Sequence, residues 1–278
     1  MSSKSKSKKA KTVTVAVKKT DGILQSGHGL KDIAKRRLIE ALRSIEPVGK
    51  ASAFKILIVD APSLAVINSI ATMYDIMQEN VSLVESLTKR RAPLEKIEAV
   101  YLVRPSYDSV QQIIDDFRTD ADKLRNIKLY RSAHLIFLSE LHDDLLSLIG
   151  PSALGQNIRT LKELNLDFSV YESQVFHTNT HNPIPRLFGN GLEEVQGRNG
   201  VLREMIVSLG TFCVTLDEFP HIRYAKGDLT SEFAELFHEH LSTRNASIPS
   251  YPSDKALERR STLIIVDRSV DPIIPLIH

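Results

Sequence analysis

The sequence predicts an α/β fold built on a doubly wound parallel sheet, and two observations lead to this prediction. Short apolar runs rich in Val, Ile and Leu, typical of strands covered on both faces, alternate with segments whose apolar residues recur at helical spacing. The chain also has 278 residues, of which 42% are hydrophobic and 25% are charged, which suffices for one large core or two smaller ones. Strands that alternate with helices over such a length favour a parallel sheet with helices on both faces.

The first part of the pattern gives two helices and three strands. Helical periodicity predicts a helix over residues 30–45, and a short β-branched run predicts a buried strand over residues 54–60. Pro62 suits the first turn of a second helix, because its ring fixes a helical φ and the first turn needs no N–H donor. Two more strands are expected at residues 81–87 and 97–103.

The next elements complete this unit. Ser106 is a suitable N-cap for a helix, and residues 135–138 have the pattern of another buried strand. Residues 141–149 and 153–164 have the pattern of two short helices. We therefore expect the first domain to close near residue 163.

A second unit with fewer strands follows. Residues 177–200 are rich in Asn and Gly and are expected to form a loop, whereas residues 201–219 carry the longest helical pattern in the chain. Residues 229–241 predict another helix, residues 242–260 a polar linker, and residues 262–266 a last buried strand.

The composition excludes several classes of protein. No window approaches the ~18 consecutive apolar residues that a transmembrane helix needs. The single cysteine, Cys213, excludes an internal disulfide framework and a cysteine-based zinc site. The chain stops on an apolar run, residues 271–278, without the polar residues that are usual at a terminus, so we expect it to be truncated.

Positive charge is concentrated in the first 19 residues, which contain seven lysines and no acidic residue. Since the total net charge is +2, the rest of the chain carries a net charge of −5. We expect the lysine-rich tail to be disordered and to bind anionic lipid only weakly, at about 1 kcal/mol per lysine near a membrane surface. No nucleic-acid partner is expected, because the body of the chain is acidic and carries no nucleic-acid-binding motif.

The motifs of common catalytic and cofactor sites are absent from the sequence. Gly150 and Gly155 have the spacing of a phosphate-binding loop, but Gln156 stands where that motif requires lysine. The histidine pairs lack carboxylates at metal-ligand spacing, so we predict no metal, no cofactor and no enzymatic activity. Asp60 and Asp267 each follow a buried strand, where a carboxylate caps the next helix, pairs with Lys or Arg, or ligates a cation. A nucleotide- or metal-binding α/β enzyme that uses these carboxylates stays open as the alternative.

Several segments match one known family in the same order along the chain. They are residues 73–77, 89–94, 98–106, 171–176, 216–224 and 266–272. Together they resemble the SM proteins, the Sec-one/Munc-eighteen-like family that binds syntaxin, and its exocytic branch in particular. The likeness extends from about residue 28 to the end of the chain.

The resemblance implies a non-catalytic regulator of vesicle docking and fusion in exocytosis. Its partner would be a syntaxin-type SNARE, with the assembled SNARE complex as a further candidate. The protein would be cytoplasmic and would be recruited to the plasma membrane through the SNARE. Residues 28–163 would form domain one, which is flavodoxin-like, and residues 164–270 the first half of an α/β domain two. Residues 271–278 would begin a truncated domain three, and residues 1–27 have no counterpart.

The resemblance also implies two binding surfaces, the first of which lines the central cleft of the family. The matching positions are Asp60, Leu64, Glu85, Lys89, Arg90 and Arg91. A solvated charged face is the alternative for the run of three basic residues. Thr72 and Ala92 stand at positions where the family can carry charge, so some ion pairs of the cleft would be replaced.

The second implied surface is an outer pocket for the short N-terminal peptide of syntaxin. Its residues would be Leu146, Ile158, Leu161 and Glu163. If residues 153–164 are helical, Ile158 and Leu161 share one helix face, and an apolar side chain of the peptide would contact them. Glu163 would then pair with a basic residue of the peptide. Core packing between two helices is the alternative, and Leu146 in place of an aromatic residue predicts a shallow pocket.

Overall fold

The computed structural model describes residues 29–45, 54–119, 128–189, 192–267 and 273. The predictions for the lysine-rich tail and for all of the final apolar run except Ile273 concern residues outside these ranges.

Helices and strands alternate through the first unit of the described chain, as the sequence predicts. The helices are α1 (Leu30–Arg43), α2 (Ala61–Ile70), α3 (Met73–Met77), α4 (Tyr107–Phe117), α5 (Asp143–Ile149), α6 (Pro183–Phe188), α7 (Leu192–Leu216), α8 (Asp228–Ser247) and α9 (Asp254–Glu258). The strands are β1 (Lys55–Val59), β2 (Val81–Ser86), β3 (Glu98–Val103), β4 (Ala133–Phe137), β5 (Ile158–Glu163), β6 (Ser169–Glu172), β7 (Val175–His177), β8 (His221–Tyr224) and β9 (Thr262–Ile265).

Strands β1 to β5 form one parallel sheet in the order β2-β1-β3-β4-β5. The chain changes direction across the sheet between β1 and β3, as it does in flavodoxin-like folds. Strands β1, β3 and β4 are buried along their whole length, which explains the continuous apolar runs in the sequence. The predicted α/β fold with a doubly wound parallel sheet is confirmed.

Helices cover both faces of this sheet and bury two hydrophobic cores. One core joins α1 and α2 to sheet residues such as Leu57 and Val100. The other joins α4 and α5 to the alternate residues, such as Ile58 and Tyr101. Since successive side chains of a strand point to opposite faces, each central strand contributes to both cores.

The predicted helix over residues 153–164 is wrong, because residues 158–163 form the strand β5 at one edge of the sheet. β5 pairs with β4 in a register that shifts between Ile158 and Thr160. Arg159 is therefore the extra residue of a β-bulge. Apolar residues three positions apart in a bulged strand give the same sequence pattern as one face of a short helix.

The second unit contains more helix than the sequence predicts. The expected loop over residues 177–200 includes α6 and the beginning of α7, and the expected linker over residues 242–260 includes the end of α8 and all of α9. Packing of α6 against α7 favours helix where the local Gly and Asn residues do not. β8 and β9 form a parallel pair, so a strand lies where one is predicted near residue 262, but its predicted burial is wrong, because Ile264 is 68% exposed.

Residues beyond 163 also pack on the sheet, since Leu166, Phe168 and Val170 belong to the same core as α1 and α2. The domain boundary near residue 163 stays a prediction. Among the helices of the described residues, none combines the length and the apolar character needed to cross a membrane.

Candidate functional site

Asp60 lies at the carboxyl edge of the sheet, between β1 and β3, where doubly wound folds commonly bind their ligands. Its Oδ1 accepts the N–H of Ser63 at 2.9 Å and caps α2, while its Oδ2 accepts the N–H of Arg104 at 2.9 Å. Only 8% of Asp60 is exposed. The carboxylate therefore serves as a helix cap, which is one of the three roles that the sequence left open.

The side chain of Arg104 lies in the same crevice. Its Nε and Nη2 bind Oδ1 of Asp167 at 3.0 Å and 2.7 Å, and its Nη1 binds Oε1 of Glu204 in α7 at 2.9 Å. Burial raises the pKa of Asp167, and the adjacent guanidinium of Arg104 opposes this shift. Sequence reasoning missed this network, because 63 residues separate Arg104 from Asp167 and neither belongs to a local motif.

These contacts favour a structural role for the carboxylates at the crevice over the enzyme alternative. Asp60 and Asp167 already bind internal donors. Over the ranges that the structure describes, no group of three or more His, Cys, Asp or Glu side chains is placed to hold a metal ion.

Three residues of the predicted cleft surface are exposed at one edge of the sheet. They are Leu64 of α2, with 37% exposure, and Lys89 and Arg90, which follow β2. Both segments leave the carboxyl ends of the neighbouring strands β1 and β2, so the fold brings them to the same edge. Glu85 of β2 is half-buried and accepts a hydrogen bond from the hydroxyl of Tyr130 at 3.2 Å. We refer to Leu64, Glu85, Lys89 and Arg90 as the cleft patch.

Arg91 differs from its two basic neighbours because its side chain is buried. Its Nη2 binds Oδ1 of Asp116 and the carbonyl oxygen of Leu87, both at 3.0 Å. The other carboxylate oxygen of Asp116 accepts the hydroxyl of Tyr101 at 2.8 Å. Burial raises the pKa of Tyr101, and the charge of Asp116 adds to the shift. Arg91 and Asp60 therefore have internal partners, which a run of basic residues or a strand-end carboxylate does not reveal in the sequence.

The second predicted surface lies along the edge strand β5. Leu146 of α5 is 39% exposed, while Ile158 and Leu161 of β5 are half-buried. Because of the bulge, Ile158 and Leu161 pair with Ala133 and Leu135 and pack against the same core. The two β5 side chains share a face, although the helix that predicted this is wrong. We refer to Leu146, Ile158 and Leu161 as the edge patch.

Glu163 ends β5 beside the edge patch, and both of its oxygens have partners within the chain. Its Oε1 accepts the N–H of Leu141 at 3.0 Å, just before α5, and its Oε2 lies 3.2 Å from Nη2 of Arg244 in α8. Arg244 lies 81 residues away, in a segment whose sequence predicts a linker. No local signal could have identified this partner.

The geometry thus offers the cleft patch, which is mixed, and the edge patch, which is apolar, while Asp60 and Asp167 in the crevice between β1 and β3 bind internal donors. Comparison with known proteins identifies the family of the chain. The family model described as the Sec1 family matches residues 55–278.

The chain belongs to the Sec1 family. This confirms the resemblance to the SM proteins, whose members are non-enzymatic SNARE regulators, and it supports the prediction that the chain is not an enzyme.

Named relatives agree with this assignment. The Sec1-family chain is 34% identical over 251 residues to "Protein transport protein sec1" of Dictyostelium discoideum. The match covers 90% of the chain and 40% of that protein. The chain is 31% identical over 275 residues to "SNARE-interacting protein KEULE" of Arabidopsis thaliana, and the match covers 91% of the chain and 39% of that protein. The Sec1-family chain spans about 40% of the length of these relatives.

A solved structure matches the fold over most of the chain. It is the crystal structure of the Unc18–syntaxin 1 complex from Monosiga brevicollis, with a TM-score of 0.74 and 28% sequence identity. The match covers 90% of the Sec1-family chain and 42% of the chain in that complex.

Proposed function

We propose that this chain supplies SNARE-binding surfaces of an exocytic SM protein and acts by binding a syntaxin-type SNARE rather than by chemistry. The observation that carries the proposal is the match, over 90% of the chain, to an Unc18 protein solved in complex with syntaxin 1. In this proposal the protein is cytoplasmic, regulates vesicle docking and fusion, and reaches the plasma membrane through its SNARE partner.

The cleft patch is proposed to contact the helical core of the SNARE. It places the apolar side chain of Leu64 at the same edge as two exposed cations, Lys89 and Arg90. A helix with acidic residues beside an apolar stripe complements such a surface. Asp60 and Arg91 support the patch from inside through the contacts described above.

The edge patch is proposed to contact an N-terminal peptide of the SNARE. In this proposal an apolar residue of the peptide buries surface on the exposed Leu146 of α5 and on the half-buried Ile158 and Leu161 of β5. Small apolar contacts of this kind concentrate binding energy in a few side chains. The absence of an aromatic ring at position 146 makes this a shallow surface.

Titration calorimetry of the 278-residue chain against the extramembrane region of a syntaxin-type SNARE tests the cleft patch. Lys89→Glu with Arg90→Glu should weaken binding about five- to tenfold, since exposed ion pairs contribute roughly 0.2–1 kcal/mol each. The matched control is Lys31→Glu with Arg36→Glu, two exposed cations of α1, which should change the affinity less than twofold. Equal losses from both pairs would show that only net charge matters and would refute the assignment.

The edge patch is tested with the N-terminal peptide alone. Leu146→Asp should reduce peptide affinity at least tenfold, whereas Leu236→Asp, at a leucine of α8 that is 41% exposed, should leave it unchanged. Peptide binding that tolerates Leu146→Asp would contradict the proposed site. No heat with any syntaxin-type SNARE or peptide would contradict the proposed function itself.

A further inference from the structure

Arg244 is a buried arginine that connects α8 to the ends of β4 and β5. Only 3% of the residue is exposed. Its Nη1 lies 3.2 Å from Oε2 of Glu140, and its Nη2 lies 3.2 Å from Oε2 of Glu163 and 2.7 Å from Oδ1 of Asn165. One guanidinium therefore joins α8 to two other segments of the chain, one at Glu140 and one at residues 163–165.

A second cation would add little to Glu163, because both oxygens of its carboxylate already have partners within the chain. Its Oε1 fixes the N–H of Leu141 and its Oε2 faces Arg244. An external cation that displaced Arg244 would leave a buried guanidinium with one carboxylate partner fewer, which is unfavourable because that group cannot turn to water. A cation that joined Glu163 at its exposed side would gain only the weak attraction of a solvent-exposed pair.

We infer that Arg244 is a specificity-determining residue of the edge patch, because it supplies the cation for Glu163 from within the chain. The edge patch then selects a peptide by its apolar side chain and is indifferent to a basic residue beside it. This inference rests on the proposed function for its ligand. It changes the expected role of Glu163 from contacting the peptide to positioning α5 and α8.

Fluorescence polarisation with two labelled peptides tests the inference. One peptide carries the N-terminal segment of a syntaxin-type SNARE with an Arg next to its apolar residue, and the other has Gln in place of that Arg. The unaltered chain should bind both within twofold. Arg244→Gln, which frees Glu163, should prefer the Arg peptide about tenfold, which corresponds to about 1.4 kcal/mol.

Lys162→Gln is the matched control, since it removes a neighbouring cation of β5 whose Nζ binds Oγ of Ser44 instead. This variant, like the unaltered chain, should bind the two peptides with affinities within twofold of each other. A fivefold or greater preference of the unaltered chain for the Arg peptide would overturn the inference. Glu163→Gln gives an independent reading if Arg244→Gln does not fold, because a selective loss of the Arg peptide in this variant would also overturn it.

A measurement without peptide separates this inference from the proposed function. A double-mutant cycle compares the equilibrium constants for urea unfolding of Glu163→Gln, Arg244→Gln and the double variant. The factor by which the double variant changes this constant should be at least fivefold smaller than the product of the two single factors. Additive effects would show that Arg244 does not hold Glu163 and would overturn the inference. Coupling in a chain that binds neither peptide supports the internal pair and refutes only the proposed peptide site.

Discussion

Replacing Asp116 by alanine removes the carboxylate that pairs with the buried guanidinium of Arg91. The two side chains are 6% and 5% exposed and lie 3.0 Å apart. After the substitution Arg91 keeps only the carbonyl oxygens of Leu87 and Lys89, at 3.0 Å and 3.3 Å, and the hydroxyl of Tyr101 loses its acceptor. Breaking a buried pair from one side costs about 3–5 kcal/mol.

A loss of this size is measurable by thermal unfolding followed by circular dichroism. At roughly 2–4 °C per kcal/mol for a chain of this size, Asp116→Ala should lower the midpoint by roughly 6–20 °C. Asp115→Ala is the matched control, since the neighbouring Asp115 is exposed and should shift the midpoint by less than about 2 °C. The double change of Arg91→Leu with Asp116→Leu should recover much of the loss, because no unpaired charge stays buried.

The outcome also decides the role of Arg91 in the proposed cleft surface. If Asp116→Ala unfolds no more easily than Asp115→Ala, the internal pair does not stabilise the fold. Arg91 would then be free to turn outward, and our exclusion of it from the cleft patch would be wrong.

Three further predictions follow from local environments. Burial lowers the pKa of both His134 and His240, so below about pH 6.5 the unfolded chain binds more protons than the folded chain. Stability should therefore fall as the pH drops from about 6.5 toward the pKa values of the folded chain. Thermal midpoints between pH 7.5 and 5.5 measure this fall, and His134→Gln should make its dependence on pH less steep. Asp60→Ala removes the cap of α2 and should cost about 0.5–2 kcal/mol in urea unfolding, whereas Asp60→Asn, which retains a capping oxygen, should cost less. Burial raises the pKa of Cys213 to about 12, so its thiol should react with a disulfide reagent only at the rate of unfolding, and rapid labelling of the native chain would contradict its packed position.

The central part of the fold was predictable because its local signals agree with the tertiary structure. The runs that became β1, β3 and β4 are apolar on both faces, and Ser106 caps α4 by accepting the N–H of Ser109 at 3.1 Å. β5 was not predictable, because the bulge at Arg159 replaces the period of two by a spacing of three. The beginning of α7 was missed because packing against α6 outweighs its local Gly and Asn content.

The candidate site shows the same division between local and distant determinants. Exposure of Lys89, Arg90 and Leu146 agrees with their predicted place on a surface. The inward turn of Arg91 depends on Asp116, 25 residues away, and the state of Glu163 depends on Arg244, 81 residues away. Such pairs are set by the assembled fold, which periodicity and motif spacing do not report.

The bulge at Arg159 also bears on how the molecule avoids self-association. Among the described strands β5 is the end of its sheet, and an end strand with a regular ladder of free N–H and C=O groups is a template for strands of other chains. The extra residue breaks that ladder, and the guanidinium of Arg159 is held back toward the sheet by Oγ of Ser132 at 3.1 Å and Oε1 of Glu98 at 3.3 Å. An irregular edge strand of this kind can contact a ligand's side chain, but it disfavours fibril-like growth through backbone pairing with other chains.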